Sequence, residues 1–245
     1  MAILKLKNLV VGYEKTRLST PLNLELPAGD TLGIIGNNGS GKSTLLKTLT
    51  GILPALDGQI QWAQDIRLGY VPQENQVDML FPLTVSDLMR MDMLPSLPRL
   101  RSTSPAFRKA QSEILEEMEI QYLEENLVRD LSGGERQRAL IGRAWISRPQ
   151  VLLMDEPFNS IDYRFREKLW RIFSRWKNHH DLTLIMIDHD LNRILNQVQW
   201  LIVLGPEATL CGRRDEILQP NLLSQAYGAP LHVHQENGQI QIHFL

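Results

Sequence analysis

The segment Gly36–Thr44 constrains the fold more than any other part of this sequence. It reads Gly-Asn-Asn-Gly-Ser-Gly-Lys-Ser-Thr and fits the phosphate-binding pattern G-x-x-x-x-G-K-[ST]. A short apolar strand, residues 31–35, runs directly into it, and residues that favour a helix follow from Lys42. A strand, a glycine loop and a helix in this order predict a nucleotide-binding α/β protein.

The residue types of this loop suit nucleotide phosphates. Glycines let the backbone wrap closely around a phosphate, where side chains would obstruct it. Backbone N–H groups and the start of the following helix supply positive potential. Lys42 can reach the β- and γ-phosphates, and the Ser43 hydroxyl can ligate Mg²⁺. The nucleotide-binding residues predicted here are Gly36, Asn37, Asn38, Gly39, Ser40, Gly41, Lys42, Ser43 and Thr44.

A second apolar strand ends in two carboxylates. Residues 151–154 read Val-Leu-Leu-Met, and Asp155-Glu156 follow. At the end of a buried strand, Asp155 would lie near the metal ion. Glu156 would lie beside the γ-phosphate, where it could polarise an attacking water as general base. An acidic pair at a strand end can also be an ordinary surface feature, but its combination with a phosphate loop favours catalysis.

The remaining pattern predicts an α/β chain with a helical insertion. Residues 3–35 read mainly as strands, and the pattern becomes helical between about residues 85 and 148. Further on, strands and helices alternate, with strands at 151–154, 182–187 and 201–204 and helices near 165–177 and 191–198. Alternation of this kind predicts a mainly parallel sheet that is covered on both faces.

The tail, residues 226–245, predicts a β-hairpin. Asn237-Gly238 is a favoured two-residue turn, and closing it pairs His232 with His243, Val233 with Ile242, His234 with Gln241 and Gln235 with Ile240. One face then carries Val233, Ile240 and Ile242, and the other carries all three histidines. A solvated polar face is the favoured interpretation of the histidines, and a metal-sensing site is the alternative.

Composition limits the class of protein. The 245 residues carry a formal net charge of −2, so no overall basic field indicates nucleic-acid binding. A single cysteine, Cys211, excludes an internal disulfide framework and fits a reducing compartment. The N-terminus becomes charged too soon for a signal peptide, and no run approaches the ~18 apolar residues of a membrane span. Work at a membrane would therefore require another protein to hold the chain there.

A third motif, Leu131-Ser132-Gly133-Gly134-Glu135-Arg136-Gln137-Arg138, resembles the signature of the ATP-binding cassette ATPases. The resemblance covers about residues 3–225, because the order of all the motifs matches that family. A serine and glycines at a helix start can present a hydroxyl and N–H groups to a γ-phosphate. In this family the phosphate belongs to the ATP of the opposite subunit. Glu135 stands where many members carry glutamine, and the resemblance implies nucleotide contacts from Ser132, Gly133, Gly134 and Glu135.

The same resemblance assigns three residues outside these motifs. Tyr13 lies where the family stacks an aromatic ring on adenine, and an ordinary aromatic at a strand end is the alternative. Gln73 matches the glutamine that contacts Mg²⁺ and water. His189 matches the histidine that senses the γ-phosphate, with a purely structural histidine as the alternative. The implied catalytic set is Glu156, His189 and Gln73, and the implied Mg²⁺ ligands are Ser43, Gln73 and Asp155.

Residues 159–162 occupy the loop that crosses the dimer interface in this family, which makes Ser160 and Asp162 candidate interface residues. The chain departs from the family pattern at Asp188, where serine or threonine is more usual, and at Ile161, which replaces a common leucine. Neither change removes a needed chemical group. All the catalytic parts occur in one chain, so a head-to-tail homodimer would form two complete sites.

The fold that the resemblance implies is α/β: a P-loop NTPase core of the RecA-like type, an N-terminal antiparallel β subdomain and an inserted α-helical signature subdomain. Residues 1–225 would form the ATPase domain, with its helical subdomain at about 85–148, and residues 226–245 the hairpin tail. ATP and Mg²⁺ are the ligands implied.

The function that the resemblance implies is the energy-supplying subunit of a membrane transporter, bound at the cytoplasmic face of the inner membrane to integral-membrane permeases. The groove after Gln73, with Met79 and Phe81, would dock a permease helix. Methionines at 79, 89, 91 and 93 suit an adaptable surface, although core filling explains them equally well. Residues 69–87 look most like those of ATPases that energise import of zinc, manganese or iron, or of a metal chelate, which implies an indirect solute-binding protein.

Other functions stay open at this point. The chain could serve a transporter of another substrate. It could also be a cassette ATPase that acts on nucleic acid or ribosomes, but such proteins resemble paired cassettes or carry a long coiled-coil insertion, and this chain has neither. A third possibility is an assembly ATPase on soluble scaffold proteins. Genes beside this one, above all a permease gene, would separate these possibilities.

Overall fold

The computed structural model describes residues 1–13, 16–73, 82–91, 104–206, 208–236 and 239–244. Its strands are β1 (Ala2–Val10), β2 (Gly12–Tyr13), β3 (Thr16–Arg17), β4 (Leu22–Pro27), β5 (Thr31–Gly36), β6 (Asp57–Trp62), β7 (Leu68–Val71), β8 (Val151–Asp155), β9 (Thr183–Ile187), β10 (Trp200–Leu204), β11 (Thr209–Arg213), β12 (Leu231–Glu236) and β13 (Gln239–Phe244). Its helices are α1 (Lys42–Leu49), α2 (Val85–Met91), α3 (Pro105–Glu117), α4 (Gly133–Trp145), α5 (Tyr163–His180), α6 (Leu191–Leu195), α7 (Arg214–Ile217) and α8 (Pro220–Tyr227), with 3₁₀ turns at Gln121–Leu123 and Val128–Asp130.

The central sheet brings the predicted motifs to one edge. Its six strands lie in the order β11-β10-β5-β9-β8-β7, parallel except for β11. Strands β8 and β9 are buried at every position, because helices and the antiparallel sheet of β4, β1 and β6 cover the two faces of the central sheet. Burial on both faces explains the continuous apolar sequences of these two strands. The carboxyl ends of parallel strands point the same way. Residues Gly36, Val71, Asp155 and Ile187 therefore end four strands at a common edge.

A separate antiparallel sheet has the order β4-β1-β6. In β4, leucines at 22, 24 and 26 are buried while Asn23 and Glu25 are exposed, as the alternating sequence predicts. The buried face packs in one apolar cluster with Leu45 and Leu46 of α1. This sheet thereby covers the helix that follows the phosphate loop.

Helices α2, α3 and α4 lie between β7 and β8 along the chain, where the sequence predicts a helical insertion. Met89 has no exposed surface and packs in the main apolar cluster, so core filling is the correct interpretation for this methionine. Met91 is half-exposed. The predicted docking residues Met79 and Phe81, together with Met93, lie outside the described residues.

Strands β12 and β13 form the predicted hairpin with the predicted register at all four pairs named above. Ile240 and Ile242 are buried and Val233 is half-buried, whereas His232, His234 and His243 are exposed. Within the described ranges, no group of three or more histidine, cysteine or acidic side chains is arranged to hold a metal ion. The exposure of the three histidines agrees with the solvated-face interpretation. The turn residues Asn237 and Gly238 lie outside those ranges.

Helix α6 is shorter than the sequence predicts, because it ends at Leu195 and not near Val198. The chain turns there toward β10, with the Gln199 N–H donating to the Thr31 carbonyl at 3.0 Å. Among the helices in the described part of the chain, none combines the length and the apolar character needed to cross a bilayer.

Candidate functional site

The phosphate loop lies between the end of β5 and the start of α1. Its glycines have positive φ angles, which other residues adopt only at a cost in free energy. Gly36 has φ of 149° and Gly41 has φ of 97°. A β-carbon on Gly36 would meet the Leu204 carbonyl oxygen at 2.2 Å, which leaves no room for a side chain. Gly41 is also the N-cap of α1. The loop can therefore pass close to β10 and still direct its N–H groups toward a phosphate.

Lys42 folds back over this loop. Its Nζ donates to the carbonyl oxygens of Gly36 and Asn37, each at 2.9 Å. Burial lowers the pKa of the ammonium group, while the charges of Glu156 and Asp155 act in the opposite direction. The ammonium group is thus held at the mouth of the loop, where phosphate oxygens can replace the carbonyl oxygens as its partners.

Asp155 ends β8 and is wholly buried. Both of its carboxylate oxygens are buried, and the Ser43 hydroxyl lies beside them. Burial raises its pKa, and the nearby Ser43 hydroxyl opposes this shift. The charged form of a buried carboxylate is costly unless a cation joins it. Oxygen ligands from a carboxylate and a hydroxyl are those that Mg²⁺ prefers, so the residues present fit this ion.

Glu156 is the point on which the predicted catalytic residues converge. Its φ of 55° turns the chain sharply after β8, and its side chain is only 8% exposed. Gln73 Nε2 donates to Glu156 Oε2 at 2.9 Å, and Asn159 Nδ2 donates to the same oxygen. His189 Nε2 makes a close contact with Glu156 Oε1. Side chains from three segments, which follow β7, β8 and β9, therefore hold this one carboxylate.

These residues surround a cavity of about 610 Å³ beside the phosphate loop. Tyr13 lies at its rim, half-exposed, with its hydroxyl accepting a hydrogen bond from Thr44 Oγ1 at 3.0 Å. A half-exposed ring can stack on a planar base. The cavity is lined by Tyr13, Leu18, Asn38, Gly39, Gly41, Lys42, Ser43, Thr44, Gln73, Glu156 and His189.

The signature residues do not line this cavity. Ser132 caps the start of α4, and its backbone N–H and hydroxyl donate to Glu135 Oε2 at 2.9 and 2.6 Å. The Tyr122 hydroxyl donates to Glu135 Oε1 at 2.9 Å, and these hydrogen bonds lower the pKa of Glu135. Glu135, which stands where many family members carry glutamine, thus completes a capping box with Ser132. The capping box stabilises the first turn of α4.

The signature helix packs directly on the predicted interface loop. A β-carbon on Gly134 would meet the Ser160 carbonyl oxygen at 2.8 Å, so only glycine lets α4 approach this closely. Ser160 has φ of 60°, and Asp162 caps α5 by accepting the Phe165 N–H at 3.0 Å. The loop that contains Ser160 and Asp162 thus packs against the signature helix α4, and it follows Glu156 in the chain.

Three contacts of the site were not predicted from the sequence. Leu18 forms part of the cavity wall, and Asn159 binds the carboxylate of Glu156. Asp188 accepts the Asp190 N–H at 2.9 Å and pairs with Arg193 Nη1 at 3.2 Å, although burial raises its pKa. Tertiary packing brings Leu18 to the cavity. Asn159 and Asp188 instead make local contacts, with residues two to five positions away in sequence. The departure at Asp188 was visible in the sequence, but its partner was not.

The fold and this site define a P-loop ATPase of the cassette type. The family model for the ABC transporter matches residues 19–159, more than half of the chain, and the protein belongs to that family. It is an ATP-binding subunit of an ABC transporter and hydrolyses ATP. The match spans the phosphate loop, the signature and Glu156 in one continuous stretch.

Several named relatives align over most of this chain. The zinc import ATP-binding protein ZnuC of Pasteurella multocida is 28% identical, and the alignment covers 99% of this chain and 90% of that protein. ZnuC of Magnetococcus marinus is 30% identical over 88% of this chain and 78% of its own length. The manganese transport system ATP-binding protein MntB of Listeria monocytogenes is 27% identical over 92% and 96%.

Solved structures agree on the fold. One, described as a metal-chelate type ABC transporter in an inward-facing conformation, superposes with a TM-score of 0.81 and 24% identity, covering 100% of this chain and 97% of that one. A nucleotide-free ATP-binding cassette from an ABC transporter superposes with a TM-score of 0.74 and 24% identity, covering 91% and 98%. The P-loop core, the antiparallel sheet and the inserted helices are thus a shared architecture.

Proposed function

We propose that two copies of this chain use Mg²⁺ and ATP to energise import of a metal cation such as zinc, manganese or iron, or of a metal chelate. The observation that carries the proposal is the convergence of Gln73, Asn159 and His189 on Glu156 beside the phosphate loop. The metal assignment is supported by relatives named for zinc import and manganese transport that align over most of the chain. Transport of another substrate, or a non-transport cassette ATPase, is the alternative.

Glu156 is the general base in this proposal. Its carboxylate takes a proton from water while the water oxygen attacks the γ-phosphorus. The bond to the bridging oxygen breaks, and ADP and phosphate leave. Gln73 and Asn159 orient the carboxylate by donating to Oε2, which leaves Oε1 to act between His189 and the water. Lys42 and the loop N–H groups stabilise the charge on the phosphate oxygens.

Mg²⁺ would be held by Ser43, Gln73 and Asp155, and it would neutralise charge between the β- and γ-phosphates. The buried carboxylate of Asp155, with the Ser43 hydroxyl beside it, supports this assignment. Residues 36–44 would bind the phosphates, and Tyr13 would stack on adenine. His189, whose side chain is 45% exposed and contacts Glu156, would contact the γ-phosphate.

A homodimer would complete each site. Ser132 is exposed at the start of α4, and none of residues 132–135 lines the cavity of its own chain. A second chain placed head to tail would bring its Ser132, Gly133, Gly134 and Glu135 to the ATP on the first chain. Ser160 and Asp162 would then lie at the interface, since Ser160 packs against Gly134.

The chain would act as a peripheral subunit at the cytoplasmic face of the inner membrane. Integral-membrane permease subunits would anchor it there, and a solute-binding protein would deliver the substrate to the permease without contact to this chain. Docking around Gln73, Met79 and Phe81 stays a prediction from the sequence. Nucleic acid is not among the proposed partners, because the formal net charge of −2 gives no basic field.

Growth under metal limitation tests the proposed cargo. A strain that lacks this gene should stop growing when zinc, manganese and iron are chelated, because uptake then depends on ATP-driven import. One added metal should restore growth and thereby identify the cargo. The wild-type gene should rescue the strain, and a Lys42→Ala gene should not. Indifference to all three metals, with a requirement for an organic nutrient instead, would overturn the metal assignment and leave the transporter assignment standing.

The three tail histidines provide a separate test. We expect a His232→Ala, His234→Ala and His243→Ala triple variant to transport metal with an unchanged dependence on metal concentration, because the three side chains are exposed and form no metal-binding group. Uptake of radioactive metal by cells carrying the variant measures this. A shift in the concentration that inhibits or activates uptake would restore the metal-sensing interpretation.

A further inference from the structure

The side chains of Asn192, in α6, and Asn196, the C-cap of α6, bind the outer edge of the C-terminal hairpin. Asn196 Oδ1 accepts the Ile240 N–H and its Nδ2 donates to the Ile240 carbonyl, both at 2.9 Å. Asn192 Oδ1 accepts the Ile242 N–H at 2.7 Å. Because they lie four residues apart on the helix, both asparagines face the same strand. Their side chains take the place of a neighbouring strand along β13 and satisfy an otherwise open sheet edge.

Apolar packing beneath these hydrogen bonds fixes the same two elements. Ile240 and Ile242 are buried against the apolar cluster that contains Ile194 and Leu195, which have no exposed surface. The hairpin therefore covers one side of α6 with both its backbone edge and its apolar face. The opposite face of the hairpin, with the three histidines, is exposed.

Helix α6 depends on such contacts because it has only five residues. A helix this short is unstable on its own, so tertiary contacts decide where it lies. It begins directly after the site: Asp190 caps it by accepting the Arg193 N–H at 3.1 Å, and His189 is the residue before Asp190. Any shift of α6 is thus transmitted to His189 over two residues of backbone.

Arg193, in α6, forms ion pairs with both sequence neighbours of His189. Its guanidinium donates to Asp188 Oδ2 at 3.2 Å and to Asp190 Oδ2 at 2.7 Å, and it lies 5.5 Å from the ring centre of Phe158. Phe158 is in the segment that follows Glu156. Arg193 lies between Asn192 and Asn196 in sequence. The two asparagines that bind the hairpin therefore flank the arginine that binds Asp188 and Asp190.

We propose that Asn192 and Asn196 are positioning residues for ATP hydrolysis: they anchor α6 to the C-terminal hairpin and thereby hold His189 against Glu156. The tail then supports the catalytic site through α6, although it lies outside the matched ABC transporter segment, residues 19–159. The inference rests on the proposed role of His189, and the experiment below separates the two.

The test compares ATP turnover of the full chain and of an Asn192→Ala/Asn196→Ala variant. We expect kcat to fall about tenfold, because the N–H groups of Ile240 and Ile242 lose their acceptors and α6 loses its anchor. KM for ATP should change by less than about twofold, since Lys42 and the loop are untouched. Hydrogen–deuterium exchange of residues 188–196 should become faster in the same variant.

Two control variants separate positioning from general damage. Asn192→Asp keeps the oxygen that accepts the Ile242 N–H and should retain wild-type turnover. Gln241→Ala lies between the two anchored residues of β13 with its side chain on the exposed face, and it should also be neutral. If the double alanine variant fails to fold, the single Asn192→Ala variant, which keeps both Asn196 hydrogen bonds, replaces it.

The decisive comparison uses a His189→Ala background. If the asparagines act through His189, adding the two alanine substitutions there should lower the residual kcat by less than about twofold. An equal loss in both backgrounds, an unchanged kcat in the wild-type background, or unchanged hydrogen exchange would each overturn the inference while His189→Ala alone remains slow. Wild-type turnover by His189→Ala would instead overturn the proposed role of His189, and this inference with it.

Discussion

Replacement of Glu156 by glutamine should reduce ATP turnover at least about a hundredfold, the scale of a lost general base. The glutamine oxygen can still accept the hydrogen bonds of Gln73 and Asn159, so the geometry of the site should survive. ATP affinity should stay near the wild-type value, because Lys42 and the phosphate loop are unchanged. Steady-state turnover and equilibrium binding of labelled ATP separate the two effects.

The same variant should accumulate an ATP-bound dimer, because binding proceeds and hydrolysis does not. Size-exclusion chromatography with and without ATP would detect it. Glu167→Gln makes the same chemical change at an exposed position of α5 and should leave turnover unaltered. If Glu156→Gln turned ATP over within a few-fold of the wild type, another group would have to be the base.

Mixing two inactive chains should restore ATP hydrolysis. Lys42→Ala removes the phosphate-loop cation, and Ser132→Arg fills the start of the signature helix with a bulky side chain. In a head-to-tail heterodimer of these chains, one site combines a wild-type loop with a wild-type signature. Heterodimers purified through two different tags should show about half the wild-type turnover per dimer, if the two sites work independently.

The matched control carries the same two changes in one chain. A Lys42→Ala/Ser132→Arg chain paired with a wild-type chain has no intact site in the head-to-tail arrangement and should be inactive. If each chain completed its own site, the outcome would be reversed: the control heterodimer would be active and the first mixture inactive. The two heterodimers therefore distinguish a shared site from a site within one chain, provided that both are shown to form.

Residues close in sequence were predicted well because local rules decide them. The phosphate loop was predicted from its spacing, and Lys42 to Leu49 form α1 as the helix-forming residues indicate. The hairpin register followed from one preferred turn and a period of two, and every named pair agrees. Helix α6 was predicted three residues too long, because the buried Val198 continues the apolar pattern after the helix has ended at its C-cap, Asn196.

The sequence by itself determined which chemical groups this protein has and in what order: a phosphate loop, a glutamine, a signature, an acidic strand end and a histidine. Only the tertiary structure decided how they meet. The parallel sheet order places the ends of β5, β7, β8 and β9 at one edge, and this brings Gln73 and His189 to Glu156. The hydrogen bonds of Asn196 and Asn192 to β13 join residues that are 44 and 50 positions apart in sequence. Side-chain contacts at such separations depend on the packing of whole elements, and no local pattern encodes them.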